Sequence, residues 1–190
     1  ISLHQATRTG ALSKQHKNSQ PKSSIYALQD SEILELLAAL PQSTMGRRYG
    51  FAFQLMATYG LRAAELRYLQ VRNQESELWL RARRHGTEHS FRSSESCKLE
   101  AVPVVNIDGI PQEWNLVARV AMGERLPPLG SDSEASQHLE SYLNDRPVWR
   151  EVQNKALRFG EQAMMNSFRQ RYACAAHNLC DTDGSTDTQL

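Results

Sequence analysis

The chain has 190 residues, 40% of them hydrophobic, which is enough for one domain of ordinary size with a real core. No apolar run reaches the length of a membrane span and no signal-peptide pattern is present, so the sequence predicts a soluble cytoplasmic protein and excludes a membrane partner. A net charge of +1 excludes a histone-like polycation, although residues 1–95 hold 13 Lys and Arg against 8 Asp and Glu, while residues 96–190 hold 9 against 13.

The cysteines predict a reducing compartment. Three of them, Cys97, Cys174 and Cys180, cannot all pair, and their spacing fits no zinc ribbon or finger. Cys174, His177 and Cys180 are soft ligands, but three-residue steps drift around a helix axis and a fourth ligand is missing. We therefore expect no metal and no other cofactor.

Residues 1–24 form the first predicted segment, a flexible basic arm or linker. It contains Lys14, Lys17 and Lys22 with no acidic residue and little apolar periodicity. Two interpretations are equally open, a solvated terminus and an arm that lies along phosphates.

Helical periodicity begins at Asp30, with Asp30 or Ser31 as the predicted N-cap, and ends at Pro41. A second helix is predicted over residues 43–59, and a third, short helix carries Arg62 and Glu65. Four further helices are predicted in the second half of the chain. They cover residues 112–122, a segment capped by Ser131 or Asp132 and ending near Leu143, then residues 148–157 and 167–179.

Two runs have strand character. Glu77 to Arg83 alternates apolar residues with Trp79, Arg81 and Arg83, and residues 99–105 form a β-rich run in which Pro103 indicates an edge strand. The polar segment between them predicts an antiparallel hairpin with a long loop. The predicted fold class is therefore mainly α with a small antiparallel β-sheet, over a domain at 25–180 that precedes a polar, truncated tail at 181–190.

A sharp corner is predicted where the second helix ends. Gly60 tolerates the positive φ that ends many helices, Leu61 follows as an apolar anchor, and Arg62 stands at the junction with the next helix. Glu65 is expected to support Arg62 by pairing with a basic group or a helix end. Taken alone, Arg62 and Glu65 would read as an ordinary exposed ion pair.

Two segments together resemble a known family. Residues 59–66, Tyr-Gly-Leu-Arg-Ala-Ala-Glu-Leu, and residues 166–173, Asn-Ser-Phe-Arg-Gln-Arg-Tyr-Ala, resemble in order the two arginine boxes of the tyrosine recombinases, the phage-integrase family. The resemblance covers roughly residues 25–180 and implies an integrase-like catalytic domain. Residues 126–129 and 167–169 are similar to the integrase-like branch of cyanobacteria and their phages.

The resemblance implies that Arg62 and Arg169 hold one DNA phosphate. When a tyrosine attacks a phosphodiester, charge gathers on the non-bridging oxygens, and guanidinium groups bind these bidentately while staying charged. The 3′-phosphotyrosyl bond stores the energy of the broken strand, so religation needs no cofactor. A hairpin lysine serves as general acid in the family, and Lys98 is the hairpin's only lysine. Arg83 or Arg84 could stand in its place, but a guanidinium is a poor proton donor, and Lys98 could equally be a solvated loop residue.

Two departures from the family pattern change the expected activity. Asn166 replaces a histidine, so it can donate to a phosphate or cap the helix but cannot shuttle a proton near neutral pH. The nucleophilic tyrosine should follow Arg169, yet none of the last residues beyond Tyr172 is a tyrosine. Because the sequence also begins with Ile1, we expect a piece of a longer protein that is inactive alone, or a tyrosine supplied in trans.

The expected partner is double-stranded DNA, bound by a tetramer on synapsed duplexes at full length and by a monomer for this piece. The residues expected to bind DNA are Lys14, Lys17, Lys22, Arg47, Arg48, Arg81, Arg83 and Arg84. Two alternatives stay open. One is a decayed integrase that binds DNA without catalysis, and the other is a helical protein-interaction module with Arg62 and Arg169 far apart.

Overall fold

The computed structural model describes residues 24–74, 76–81 and 96–183. Over these ranges the helices are α1 (Asp30–Ala38), α2 (Thr44–Tyr59), a 3-10 helix (Ala63–Tyr68), α3 (Leu116–Ala121), α4 (Ala135–Asn144), α5 (Pro147–Arg158) and α6 (Asn166–Asp183). The strands are β1 (Ser24–Ile25), β2 (Leu69–Arg72), β3 (Glu77–Leu80), β4 (Cys97–Lys98) and β5 (Glu161–Gln162). The prediction of a mainly α fold with a small antiparallel sheet is confirmed.

The N-cap of helix α1 lies one residue before the first of the two predicted caps. Gln29 is the N-cap, and its backbone N–H donates to Glu32 Oε2 at 2.8 Å. Asp30, one of the two predicted caps, accepts hydrogen bonds from Arg171 and from the N–H of Val105 instead. The prediction of Asp30 or Ser31 as the N-cap was therefore wrong. The Asp30 carboxylate instead accepts hydrogen bonds from Arg171, which is distant in the sequence.

Helix α2 is the centre of the core. Ser43 caps it by accepting the N–H of Gly46, as a start near residue 43 predicted, and from Phe51 onwards every residue but Gln54 is buried. The Phe53 ring stacks on Phe168 of α6 with centroids 5.4 Å apart, and Phe168 in turn lies against Trp149 of α5 at 6.3 Å. The aromatic contacts thus join the first half of the chain to the last two helices.

The main sheet has the order β2-β3-β4 with both neighbouring pairs antiparallel. Strand β2 was not predicted, since its four residues follow the 3-10 helix directly and look like part of the helical pattern. Gln70, Trp79 and Lys98 are register partners across the three strands, so their side chains share the outer face of the sheet. Leu78 and Leu80 point to the opposite face and are buried.

The predicted second strand at residues 99–105 is wrong, and β4 lies just before it. Pairing with β3 ends at the N–H of Leu99, which donates to Leu78 O at 2.9 Å. Beyond it the N–H of Val102 donates to Thr58 O at 2.8 Å, while the carbonyls of Val102 and Pro103 accept from Arg171. The backbone groups that a strand would use are therefore satisfied by α2 and by an arginine side chain.

In the C-terminal half, α6 packs on α2, and α5 packs on α1 and α4. Helix α4 starts at Ala135 rather than at the predicted Ser131 or Asp132, because Ser131 donates from N and Oγ to Glu134 Oε2 and so forms a turn before the helix. Strand β1 pairs in parallel with β5, which places the first described residues beside the start of α6. Helix α6 continues to Asp183, inside the predicted tail. No helix within the described ranges is both long enough and apolar enough to cross a bilayer.

Candidate functional site

Arg62 lies at an exposed corner whose backbone is held from within. Gly60 ends α2 at φ 62° and ψ 30°, Leu61 is fully buried, and Arg62 has extended backbone angles. Glu65, which is 6% exposed, accepts the backbone N–H of Arg62 through Oε2 at 2.8 Å. The glutamate therefore fixes the start of the 3-10 helix, while Arg62 itself stays open to solvent.

The first turn of α6 holds the second pair of candidate residues. Asn166 is the first residue of the helix and is exposed, and Arg169 is half-buried. Ser167 and Phe168 between them are fully buried, and Ser167 Oγ accepts the N–H of Met164 at 3.0 Å. Buried neighbours thus fix the helix start on which Asn166 and Arg169 stand.

Arg171 is an important residue that the sequence reasoning missed. Its side chain is 4% exposed, and Nε and Nη2 donate to the two carboxylate oxygens of Asp30 at 2.7 and 2.8 Å. Nη1 donates to the carbonyls of Ala57 and Val102 at 3.3 and 2.8 Å, and Nη2 also donates to Pro103 O at 2.8 Å. All five N–H donors of the guanidinium are used, so Arg171 ties α6 to α1, α2 and the segment after β4.

Tyr172, the next residue, forms a second junction. A Cβ built on Gly60 would come within 2.5 Å of the Tyr172 ring, so the ring lies directly against the backbone that ends α2. The Tyr172 hydroxyl donates to Glu100 O at 3.0 Å. Burial, and after it the Glu100 charge, raises the pKa of Tyr172. We call this contact of Gly60, Glu100 and Tyr172 the Tyr172 junction.

The Tyr172 junction brings together three segments that each hold a candidate residue. Arg62 follows Gly60 by two residues, Lys98 precedes Glu100 by two, and Arg169 precedes Tyr172 by nearly one helical turn. The Cα atom of each candidate residue therefore lies within about 7 Å, measured along the chain, of the junction residue in its own segment. The corner, the end of β4 and the first turn of α6 therefore approach one another at the Tyr172 junction.

Lys98 stands on the outer face of the sheet beside carboxylates. Its Nζ lies 3.0 Å from Glu77 Oε1 and 3.8 Å from Glu100 Oε1. The hydrogen bond and charge of Glu77, followed by the charge of Glu100, raise the pKa of Lys98. The ammonium group is thus held in its charged form next to Glu77.

The remaining predicted basic residues divide into two groups. Arg81 is exposed just after β3, with Cζ 6.0 Å from the Tyr68 ring centroid, on the sheet side of the molecule. Arg47 and Arg48 lie near the start of α2, about 20 Å along the helix from Gly60. Lys14, Lys17, Lys22, Arg83 and Arg84 lie outside the described residues.

Arg47 borders a cavity of about 200 Å³ between α1, α2 and α3. The other arginine of that cavity, Arg119, donates from Nε and Nη2 to Glu124 at 2.6 and 2.8 Å and from Nη1 to Gln54 at 2.7 Å. Because protein groups accept these hydrogen bonds, the Arg119 guanidinium offers little further hydrogen bonding to a ligand. It is separate from the Tyr172 junction.

Within the described ranges, no group of three His, Cys, Asp or Glu side chains could hold a metal ion. Cys97, Cys174 and Cys180 are exposed free thiols. No family model matches the chain, and no curated protein or solved structure matches it. Any function must therefore be argued from the residues and their geometry.

Proposed function

We propose that the chain is the catalytic domain of a tyrosine recombinase, which binds duplex DNA and takes part in site-specific strand cleavage and rejoining. Residues 173–190 contain no tyrosine, so the proposal requires a nucleophilic tyrosine supplied in cis or in trans by another segment. The observation that supports this most is the Tyr172 junction, since it joins the segments of Arg62, Lys98 and Arg169. The meeting of the two motif segments at the α2–α6 contact supports the proposal.

The chemistry we propose needs only side chains. Arg62 and Arg169 bind the two non-bridging oxygens of the scissile phosphate and stabilise the charge that develops there. Lys98 gives a proton to the departing 5′ oxygen, and Asn166 donates a hydrogen bond to the phosphate from its exposed place at the start of α6.

Binding of the 190-residue chain to a 30-base-pair duplex, followed by fluorescence anisotropy, tests the proposal. Arg62→Gln and Arg169→Gln should each weaken binding about tenfold, because each removes charge-assisted hydrogen bonds to a phosphate. Each should also reduce the slope of log K against log salt by about 1. Arg158→Gln, which removes an exposed charge at the end of α5, is the matched control and should change the affinity little.

The double variant distinguishes one shared phosphate from two independent charges. If both guanidinium groups bind the same phosphate, losing the first already disrupts the site, and the second substitution costs less in the double variant than alone. Strictly additive losses, or equal losses in Arg158→Gln, would contradict the proposal. An absence of duplex binding even at low salt would contradict it too.

A second candidate is a DNA-binding relative without catalysis. Two observations favour it, the ion pair that occupies Lys98 and the asparagine at position 166. A nicked suicide duplex offered to a longer chain that carries a downstream tyrosine separates the candidates. A covalent protein–DNA adduct supports the recombinase, and binding without an adduct supports the non-catalytic relative.

A further inference from the structure

Glu77 accepts hydrogen bonds from three surrounding side chains. Oε1 contacts Lys98 Nζ at 3.0 Å, whereas Oε2 accepts from Trp79 Nε1 at 3.0 Å and from Asn73 Nδ2. The two carboxylate oxygens therefore have different partners. One holds the mobile end of a lysine, and the other is fixed to groups on β3 and its preceding turn.

The strand register explains why Glu77 reaches Lys98. Trp79 and Lys98 are direct partners between β3 and β4, and Glu77 lies two residues before Trp79 on the same outer face. Arg72, the partner of Glu77 on β2, turns its guanidinium over the Trp79 ring at 4.5 Å. The Trp79 ring is thereby held between charged neighbours, and its N–H keeps Glu77 in place.

The contact between Glu77 and Lys98 lies where another anion can replace the Glu77 carboxylate beside the lysine. The Lys98 side chain is 45% exposed and that of Glu77 is 23% exposed, so water and other anions reach the pair. If Lys98 leaves, Oε2 keeps its bonds to Trp79 and Asn73 while Oε1 gains water. The lysine can therefore move without leaving a buried, unpaired carboxylate behind.

We propose that Glu77 is a positioning residue, whose carboxylate holds the ammonium group of Lys98 at the edge of the candidate site until a DNA phosphate replaces it. This inference rests on the proposed function and adds a residue to it. Among the residues that the structure describes, the charged groups around the ammonium are Glu77, Glu100 and, across the sheet, Arg72. Of the two carboxylates Glu77 is the nearer, so it is the one that a phosphate must displace.

Direct titration of Lys98 tests whether Glu77 holds it. The Cε resonance of Lys98, assigned with a Lys98→Arg variant, reports the titration in the intact 190-residue chain. In Glu77→Gln the midpoint should fall, because the main cause of the raised pKa of Lys98 is then gone. Glu100→Gln is the matched control and should lower it less. An unchanged midpoint in Glu77→Gln overturns the inference.

Duplex binding tests the exchange with phosphate. Glu77→Gln should bind a 30-base-pair duplex about two- to fivefold more tightly than the parent chain at low salt, the range expected when an exposed ion pair no longer competes. This gain should disappear when Lys98→Ala is present in both chains, since the gain acts through the lysine. A gain that persists without Lys98 reflects net charge alone and overturns the inference.

The two experiments separate the failure of the inference from that of the proposed function. If no variant binds duplex at any salt concentration, the proposed function fails and exchange with a DNA phosphate is overturned with it. If duplex binding depends on Arg62 and Arg169 but Glu77→Gln binds as the parent chain does, with Lys98 present in both, the inference fails and the proposed function stands. A lowered Lys98 midpoint together with a Lys98-dependent gain supports both.

Discussion

At the scale of single residues, Arg171 shows how one buried charge can organise several segments. Its guanidinium is satisfied by one carboxylate and three backbone carbonyls from distant parts of the chain. Arginine suits this place because its five donors are fixed in a plane and it stays charged when buried. A lysine would leave several of these acceptors without a partner.

Arg171→Met should therefore lower the free energy of unfolding by about 3 kcal/mol or more, because it leaves the Asp30 carboxylate with only the Val105 N–H and takes away the donor to three carbonyls. Urea unfolding followed by circular dichroism measures the change. Gln170→Met, at an exposed neighbouring position on α6, is the control and should cost less than about 0.5 kcal/mol. Equal losses of stability in the two variants would show that the hydrogen bonds of Arg171 do not stabilise the fold.

Glu65 gives a second prediction, in which two effects have opposite signs. Glu65→Ala removes the acceptor of the Arg62 N–H and should cost about 1 kcal/mol of stability. Losing a negative charge should by itself strengthen DNA binding, but the loosened corner should weaken it. We expect a net loss of duplex affinity in the anisotropy assay, with Glu65→Gln close to the parent chain because its amide oxygen can still accept.

The sequence identified the half-buried arginine of α6 but not the buried one. Arg169 was found because the box at residues 166–173 implies a role for it, whereas the box implies none for Arg171, which belongs to the core face by its spacing from Phe168. That spacing of three was a usable signal, since it puts a charge among buried residues, where it must have a partner. The partner, Asp30, could not be predicted because nothing local links it to α6.

At the scale of elements, the end of α2 depends on the close approach of Tyr172. Gly60 and Gly109 both have positive φ, 62° and 76°, but only Gly60 has a side chain within reach of an added Cβ. Gly60→Ala and Gly109→Ala should share the backbone cost of about 1 kcal/mol. Gly60→Ala should cost about 1–3 kcal/mol more, because the methyl group displaces the Tyr172 ring.

Urea unfolding of the two glycine variants in a Tyr172→Ala background completes this test. Without the ring, the two closest contacts of the methyl group on Gly60 are gone and the Cβ of residue 172 at 3.2 Å remains, so the difference between the two variants should shrink. A difference that persists would assign the extra cost to α2 itself rather than to the Tyr172 junction.

Elements with strong periodicity could be predicted, and elements made by tertiary contacts could not. Helices α1, α2 and α5 follow their apolar stripes closely, and the corner at Gly60 follows from local chemistry. The run at residues 99–105 had the composition of a strand, yet its backbone bonds go to Thr58 and Arg171. Strands β1 and β5 have two residues each, which is too short for an alternating pattern of apolar and polar residues to show in the sequence. The candidate site was predictable as motifs, but its assembly around Tyr172 was not.

At the scale of the whole molecule, tyrosines that are buried or half-buried predict a loss of stability in alkali. Burial raises the pKa of Tyr26, Tyr49, Tyr59 and Tyr172, and Glu32 raises that of Lys155. The folded protein therefore keeps protons that the unfolded chain releases, so stability is full below about pH 10 and falls as the pH rises through the raised values. The urea midpoint should stay level from pH 7 to 9 and then decline.

Tyr59→Phe isolates the tyrosine contribution to this decline. It removes one raised titration without removing the ring, so the fall of the urea midpoint above pH 10 should become shallower. Absorbance of the tyrosinate form should also rise at higher pH in the folded chain than in the urea-unfolded chain. A midpoint that increases above pH 10 would contradict the assigned direction.

The link between Asp30 and Arg171 also bears on how the protein is made. The two residues are 141 positions apart, so a ribosome needs roughly 7 to 30 s to synthesise the second after the first. During that interval α2 has emerged without α6, and the apolar surface that Phe168 later covers is open to water. Nascent chains should therefore need protection by a chaperone until the last helix leaves the exit tunnel.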